Sequence, residues 1–129
     1  AAGPELLDEC KTLNGCETGN AKITKGYKLP ANYVIHTVGP VWNGGNHGEP
    51  GKLASCYFNS LALASQYHCK SVAFPNISTG VYGYPKEAAA AIAIQEVKKF
   101  LNNNLLPEKV IFCCFDDENY RIYQQTLSE

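Results

Sequence analysis

SVAFPNISTGVYGYPKEAAAAIAI, residues 71–94, passes from an apolar run through a loop of glycines and hydroxyls into an alanine-rich run. SVAFPN reads as a short buried strand. Pro85 suits the first turn of a helix, in which Ala90, Ile94, Val97 and Leu101 recur on one stripe until the asparagines 102–104 end it. Between strand and helix lies ISTGVYG (77–83), where Gly80 and Gly83 let backbone approach a ligand closely and Ser78 and Thr79 add hydroxyl donors. The helix that follows aims free N–H groups and its positive dipole end at the same place, which suits a phosphate or diphosphate. A tight structural turn is an equal reading of these residues, because the loop is neither a GK[ST] phosphate loop nor GxGxxG.

The flanking sequence repeats the pattern. AKITKGY (21–27) and YVIHTVG (33–39) read as strands, rich in β-branched and aromatic residues and separated by KLPAN. Leu53, Cys56, Tyr57, Leu61 and Ala64 step by three and four, which predicts a helix to about Tyr67. KVIFCCF (109–115) is a uniformly apolar last strand, expected to be covered on both faces, and Asp116 or Asp117 caps a final helix through Leu127. Near the start, PELLDECKTL (4–13) has the proline and early acids of a short helix. Alternating strands and helices predict an α/β domain with parallel strands, right-handed crossovers and helices on both faces of the sheet. Ligands in such folds bind beyond the carboxyl ends of the strands, which here means GPVWNGG (39–45), ISTGVYG (77–83) and DDEN (116–119).

Composition narrows the function. The 129 residues suit one domain, and eleven basic against twelve acidic residues leave a net charge of -1, without the footprint of a nucleic-acid binder. No stretch has the apolar length of a membrane span or the pattern of a signal peptide, so a soluble intracellular protein is expected. The cysteines at 10, 16, 56, 69, 113 and 114 form no CxxC and read as reduced thiols, with Cys113 and Cys114 as small buried hydrophobes. His36, His47 and His68 make no metal-ligand spacing with each other or with the thiols, so no metal is expected. His36 reads as a hydrogen-bonded structural histidine, Glu49 and Glu87 as solvated or helix-end acids, and the loop 43–51 after Trp42 as a connection. Tyr82, in mid-loop, is read toward a ligand and Tyr84, beside the helix, toward the core. On the residues alone Phe115 reads as core.

Three runs together, GCETGNAKITKGYKLPANYVIHTVGPVW, FPNISTGVYGYP and VIFCCFDDENYRIY, resemble the macro domain, nearest its MacroD-type branch, and the likeness spans nearly the whole chain. The resemblance implies a three-layer α/β/α macro-domain fold over residues 1–129, with a mixed sheet and parallel core strands. It implies binding of ADP-ribose or of ADP-ribosylated protein without a cofactor. In this branch it further implies an ADP-ribosyl hydrolase that removes mono-ADP-ribose from acidic side chains or deacetylates O-acetyl-ADP-ribose. A non-catalytic reader of ADP-ribosylated proteins is the alternative. Carried over by motif, Ser78, Thr79, Gly80, Val81, Tyr82 and Gly83 surround the diphosphate and distal ribose. Phe115 then lies against the adenosine, with Asp117 and Asn119 just beyond it.

The family pattern also has a stretch before AAGPELL that supplies the first strands and a glycine-rich loop of the type GGGVDGAIHR, whose aspartate is linked to catalysis. The chain begins where that loop would end, so the N-terminal part is expected to be missing and no residue here is assigned as catalytic. The expectations that follow are a non-covalent N-terminal segment as partner, inactivity of this chain alone, and a cytoplasmic location, or a nuclear one in a eukaryote.

Overall fold

A computed structural model describes residues 17–26, 32–80, 82–114 and 116–128. The order is β1 (Ala21–Lys25), β2 (Tyr33–Thr37), α1 (Glu49–Gln66), β3 (Ser71–Phe74), α2 (Lys86–Asn103), β4 (Lys109–Phe112) and α3 (Asp117–Leu127). Each of these elements falls where hydrophobic period and caps predict one. The expected helix over 4–13 lies outside the described residues.

β1 and β2 form an antiparallel pair with Ile23 opposite Ile35. Within it the buried Thr24 hydroxyl lies 2.9 Å from His36 Nε2, the structural hydrogen bond expected of that histidine. β3 and β4 are parallel, with Val72 opposite Val110 and Phe74 opposite Phe112, and the connection between them is α2. The described strands thus form two separate pairs, one antiparallel and one parallel. A cleft of about 1220 Å³ lies between β2 and β3, with residues 32–37 and 70–75 among its walls.

The core sits between the helices and one face of the strands. Leu53, Tyr57 and Leu61 of α1 meet Ala89, Ala90, Ala93, Ile94, Val97 and Phe100 of α2, while Phe74 and Tyr123 join from β3 and α3. Three alanines on α2 bring its backbone close to the larger α1 side chains, so large faces small across the contact. Tyr57 and Phe74 add a tilted ring pair with centroids 5.0 Å apart.

The expectation that the last strand is covered on both faces is corrected for the described residues. Val110 and Phe112 pack on the core, but Ile111 is 43% exposed and Cys113, beyond the end of the strand, is exposed as well. Strand alternation sends Lys109 and Ile111 to the side away from the helices, and an unbroken apolar run does not reveal which side its neighbours cover. Among the described residues no helix is long and apolar enough to cross a membrane, and no three metal-ligating side chains converge.

Candidate functional site

Loops leaving β2, β3 and β4 at their carboxyl ends meet on one side of the molecule. Gly39, just after β2, lies against the loop after β3: a Cβ there would overlap the Ser78 hydroxyl and come within 2.6 Å of Ile77. The Trp42 N–H donates to the Tyr82 carbonyl at 2.9 Å, which ties the first loop to the second. Lys86, at the start of α2, pairs with Asp116 at 3.3 Å and Glu118 at 3.4 Å, tying the second to the third.

The middle loop is held by its own backbone. The Tyr84 N–H donates to the Ser78 carbonyl at 2.9 Å and the Gly83 N–H to the Gly80 carbonyl at 3.0 Å. Ser78 has φ 67° and Gly83 φ 74°. At Gly83 the left-handed conformation costs little, whereas at Ser78 it is strain that the surrounding contacts must hold. A side chain added at Gly80 would meet nothing within 4 Å, so open space lies in front of that backbone. The next helix starts at Lys86 with Pro85 as its N-cap and no side-chain cap, leaving its first N–H groups without a capping oxygen.

Beneath the loop lies a buried polar layer. The buried Tyr57 phenol is coupled electrostatically to the Tyr123 side chain and the Ile77 backbone, and Tyr123 to Asn76. Burial pushes both phenols above their ordinary range. The residues that launch the loop, Asn76 and Ile77, therefore rest on α1 and α3.

The expected site residues divide as follows. Ser78, Thr79, Gly80, Tyr82 and Gly83 share the loop; Tyr82 is 39% exposed, whereas Tyr84 is buried in the core as its place beside the helix suggests. The Ser78 hydroxyl is buried against Gly39 without a hydrogen-bond partner, and Thr79 reaches back to the Asn76 carbonyl at 3.4 Å. Asp117 is exposed in the first turn of α3. Asn119 is only 3% exposed and belongs to the cap: its N–H donates to Asp116 Oδ1 at 2.7 Å, and its Oδ1 is buried without a partner. That N–H, followed by the Lys86 ion pair, holds the Asp116 carboxyl below its usual value. Val81 and Phe115 lie outside the described residues.

Two features carry more than the sequence reading gave them. Of the two readings of Glu49 the helix-end one holds and the solvated one does not: it is 2% exposed, at the first position of α1, and accepts the N–H groups of Asn43 at 2.7 Å, Gly45 at 3.1 Å and His47 at 2.7 Å. Burial alone would raise its carboxyl, but its own N–H and those three donors outweigh that and bring it down to about 2. The loop 43–48 is more than a connection, because it curls around this carboxylate and Trp42 before it packs on Tyr84 with ring centroids 4.7 Å apart. A signal was present in the sequence: an acid opening a helix directly after NGGNHG, whose backbone N–H groups need acceptors.

A family model for the Macro domain matches residues 1–93. The "Macro domain-containing protein CT2219" of Chlorobaculum tepidum is 63% identical, over 99% of this chain and 74% of that protein. The Homo sapiens "ADP-ribose glycohydrolase MACROD2" is 52% identical over 100% of this chain, which spans 31% of that protein. Among solved structures, the Trypanosoma brucei macrodomain in complex with ADP-ribose superimposes with a TM-score of 0.90 at 45% identity, covering 98% of this chain and 53% of that one.

Proposed function

Because the chain belongs to the macro domain family, we propose that it binds ADP-ribose, with the loop 77–83 as the seat of the diphosphate and distal ribose. The observation that carries this is the open space before Gly80, in a loop that also carries the exposed Tyr82 and leads into the uncapped start of α2. Backbone N–H groups and a helix terminus hold an anion without arginine, which agrees with the neutral charge balance of the chain. Tyr82 walls the distal ribose; the resemblance assigns the adenosine to Phe115, which lies outside the described residues, and to Asp117 and Asn119 after it in the chain. A solved relative is described as a complex with ADP-ribose, and another relative is named as an ADP-ribose glycohydrolase.

The finer reading is hydrolysis of mono-ADP-ribose from acidic side chains, or deacetylation of O-acetyl-ADP-ribose. Water attacks the distal ribose anomeric carbon and the bond to the side-chain carboxylate breaks, releasing the free acidic residue and ADP-ribose; in deacetylation water attacks the acetyl carbonyl and the ester C–O bond breaks, releasing acetic acid and the ribose hydroxyl, with the loop contributing orientation in both. A non-catalytic reader is the second reading. It is favoured by the chemistry of the loop, since Tyr82 is the one titratable side chain in residues 77–83 and Lys86, Asp116 and Glu118 are engaged with one another. The cleft between β2 and β3 supports a partner as well: a further extended segment of the domain, laid between two strand edges whose backbone groups need a ladder.

Gly80→Glu is the test. A side chain and a negative charge enter the space assigned to the diphosphate, so ADP-ribose binding is expected to vanish while the fold, read by circular dichroism, is retained. Undiminished binding by the folded variant would contradict the site. Release of ADP-ribose from a mono-ADP-ribosylated glutamate substrate separates hydrolase from reader.

A further inference from the structure

Glu49 is remote from the space before Gly80 in sequence, yet a continuous set of contacts joins the two. Its carboxylate gathers the N–H groups of Asn43, Gly45 and His47 and so sets the curl of residues 43–47. His47 Nδ1 closes the same curl on the Asn43 carbonyl at 2.9 Å. Inside it Gly45 has φ 88°, and a Cβ there would approach Trp42 to 2.7 Å, so the indole is seated on that glycine. The seated indole packs on Tyr84, and the Trp42 N–H donates to the Tyr82 carbonyl. Tyr82 and Tyr84 flank Gly83, the left-handed residue that closes the ligand loop.

We propose that Glu49 is a positioning residue of the ligand site, which through Trp42 sets the place of Tyr82 and Gly83 against the diphosphate and distal ribose. This rests on the ADP-ribose reading above. The carboxylate suits the task because it accepts three N–H groups on two oxygens at once. A glutamine has one acceptor oxygen and turns an NH2 donor toward at least one of those N–H groups, so the curl must open. An aspartate keeps both oxygens and the charge but is one methylene short.

The experiment titrates wild type, Glu49→Gln and Glu49→Asp with ADP-ribose and with AMP, and records the emission of Trp42, the one tryptophan of the chain. Glu49→Gln is expected to weaken ADP-ribose by about tenfold or more, to leave AMP within about twofold, and to shift Trp42 emission to longer wavelength, with Glu49→Asp intermediate. Selective loss marks positioning, since general destabilisation weakens both ligands alike. Wild-type ADP-ribose affinity in Glu49→Gln, or equal loss of both ligands, overturns the inference while leaving the binding reading intact. Absence of ADP-ribose binding by the wild type overturns both. Should Glu49→Gln fail to fold, Gly45→Ala carries the test, because it unseats the indole with the carboxylate untouched: selective loss supports the inference and wild-type behaviour overturns it.

Discussion

A buried carboxylate held by backbone N–H groups makes a pH-dependent contribution to folding, and Glu49 fixes its sign. Its folded value is about 2 against an ordinary 4.5, so between those limits the unfolded chain binds the extra proton. The stabilisation is complete above about 4.5 and is lost as pH falls toward 2. Thermal midpoints of wild type and Glu49→Gln are therefore expected to converge on acidification through this window, with the wild type falling faster; parallel curves would contradict the assignment. At the residue scale the sequence was legible where a residue acts by its own type and neighbours. Gly80 and Gly83 in the loop, Asp116 as cap, Tyr84 in the core and His36 in a hydrogen bond all belong to that class. Glu49 was legible only as a helix-end acid; its burial was not, because its partners are N–H groups whose direction depends on the curl of the loop they belong to.

Helices and strands followed from period and punctuation, and the three described helices begin and end within a few residues of the spacing argument. Which faces they cover did not follow. Ile111 looks outward although the run around it is apolar throughout, and the hairpin of β1 and β2 is antiparallel beside a parallel β3 and β4 pair. Partner choice is a long-range property that no window of one strand contains. The contact among α1, α3 and the start of the loop gives a prediction at this scale. Tyr57→Phe keeps the ring and its packing but strips the oxygen that engages Tyr123 and the Ile77 backbone. The expected cost is about 1–3 kcal/mol of stability, with a weaker grip on ADP-ribose, measured by urea unfolding and by titration. An unchanged midpoint would mean that the buried layer does not support the loop.

Across the whole molecule, the carboxyl ends of β2, β3 and β4 bring three loops together, as the alternation of strands and helices requires. Two backbone hydrogen bonds within the loop, one from Trp42 and an ion-pair cluster at Lys86 hold it in place. The two strand pairs stand apart across the cleft. Gly26 donates to the Asn32 carbonyl and Cys113 to the Phe74 carbonyl, so Tyr33, Ile35 and Thr37 turn their backbone groups to one wall, and Ser71 and Ala73 turn theirs to the other. The loop that carries the proposed chemistry begins at the end of this second wall, so sheet and site are parts of one construction. The central claim is that the loop reads the part of the ligand beyond the adenosine monophosphate. Isothermal calorimetry with ADP-ribose and AMP on the same protein tests it most directly. The account predicts that ADP-ribose binds more tightly than AMP by about tenfold or more, since the diphosphate loop and Tyr82 serve only the portion AMP lacks. Equal affinities for the two ligands would contradict it.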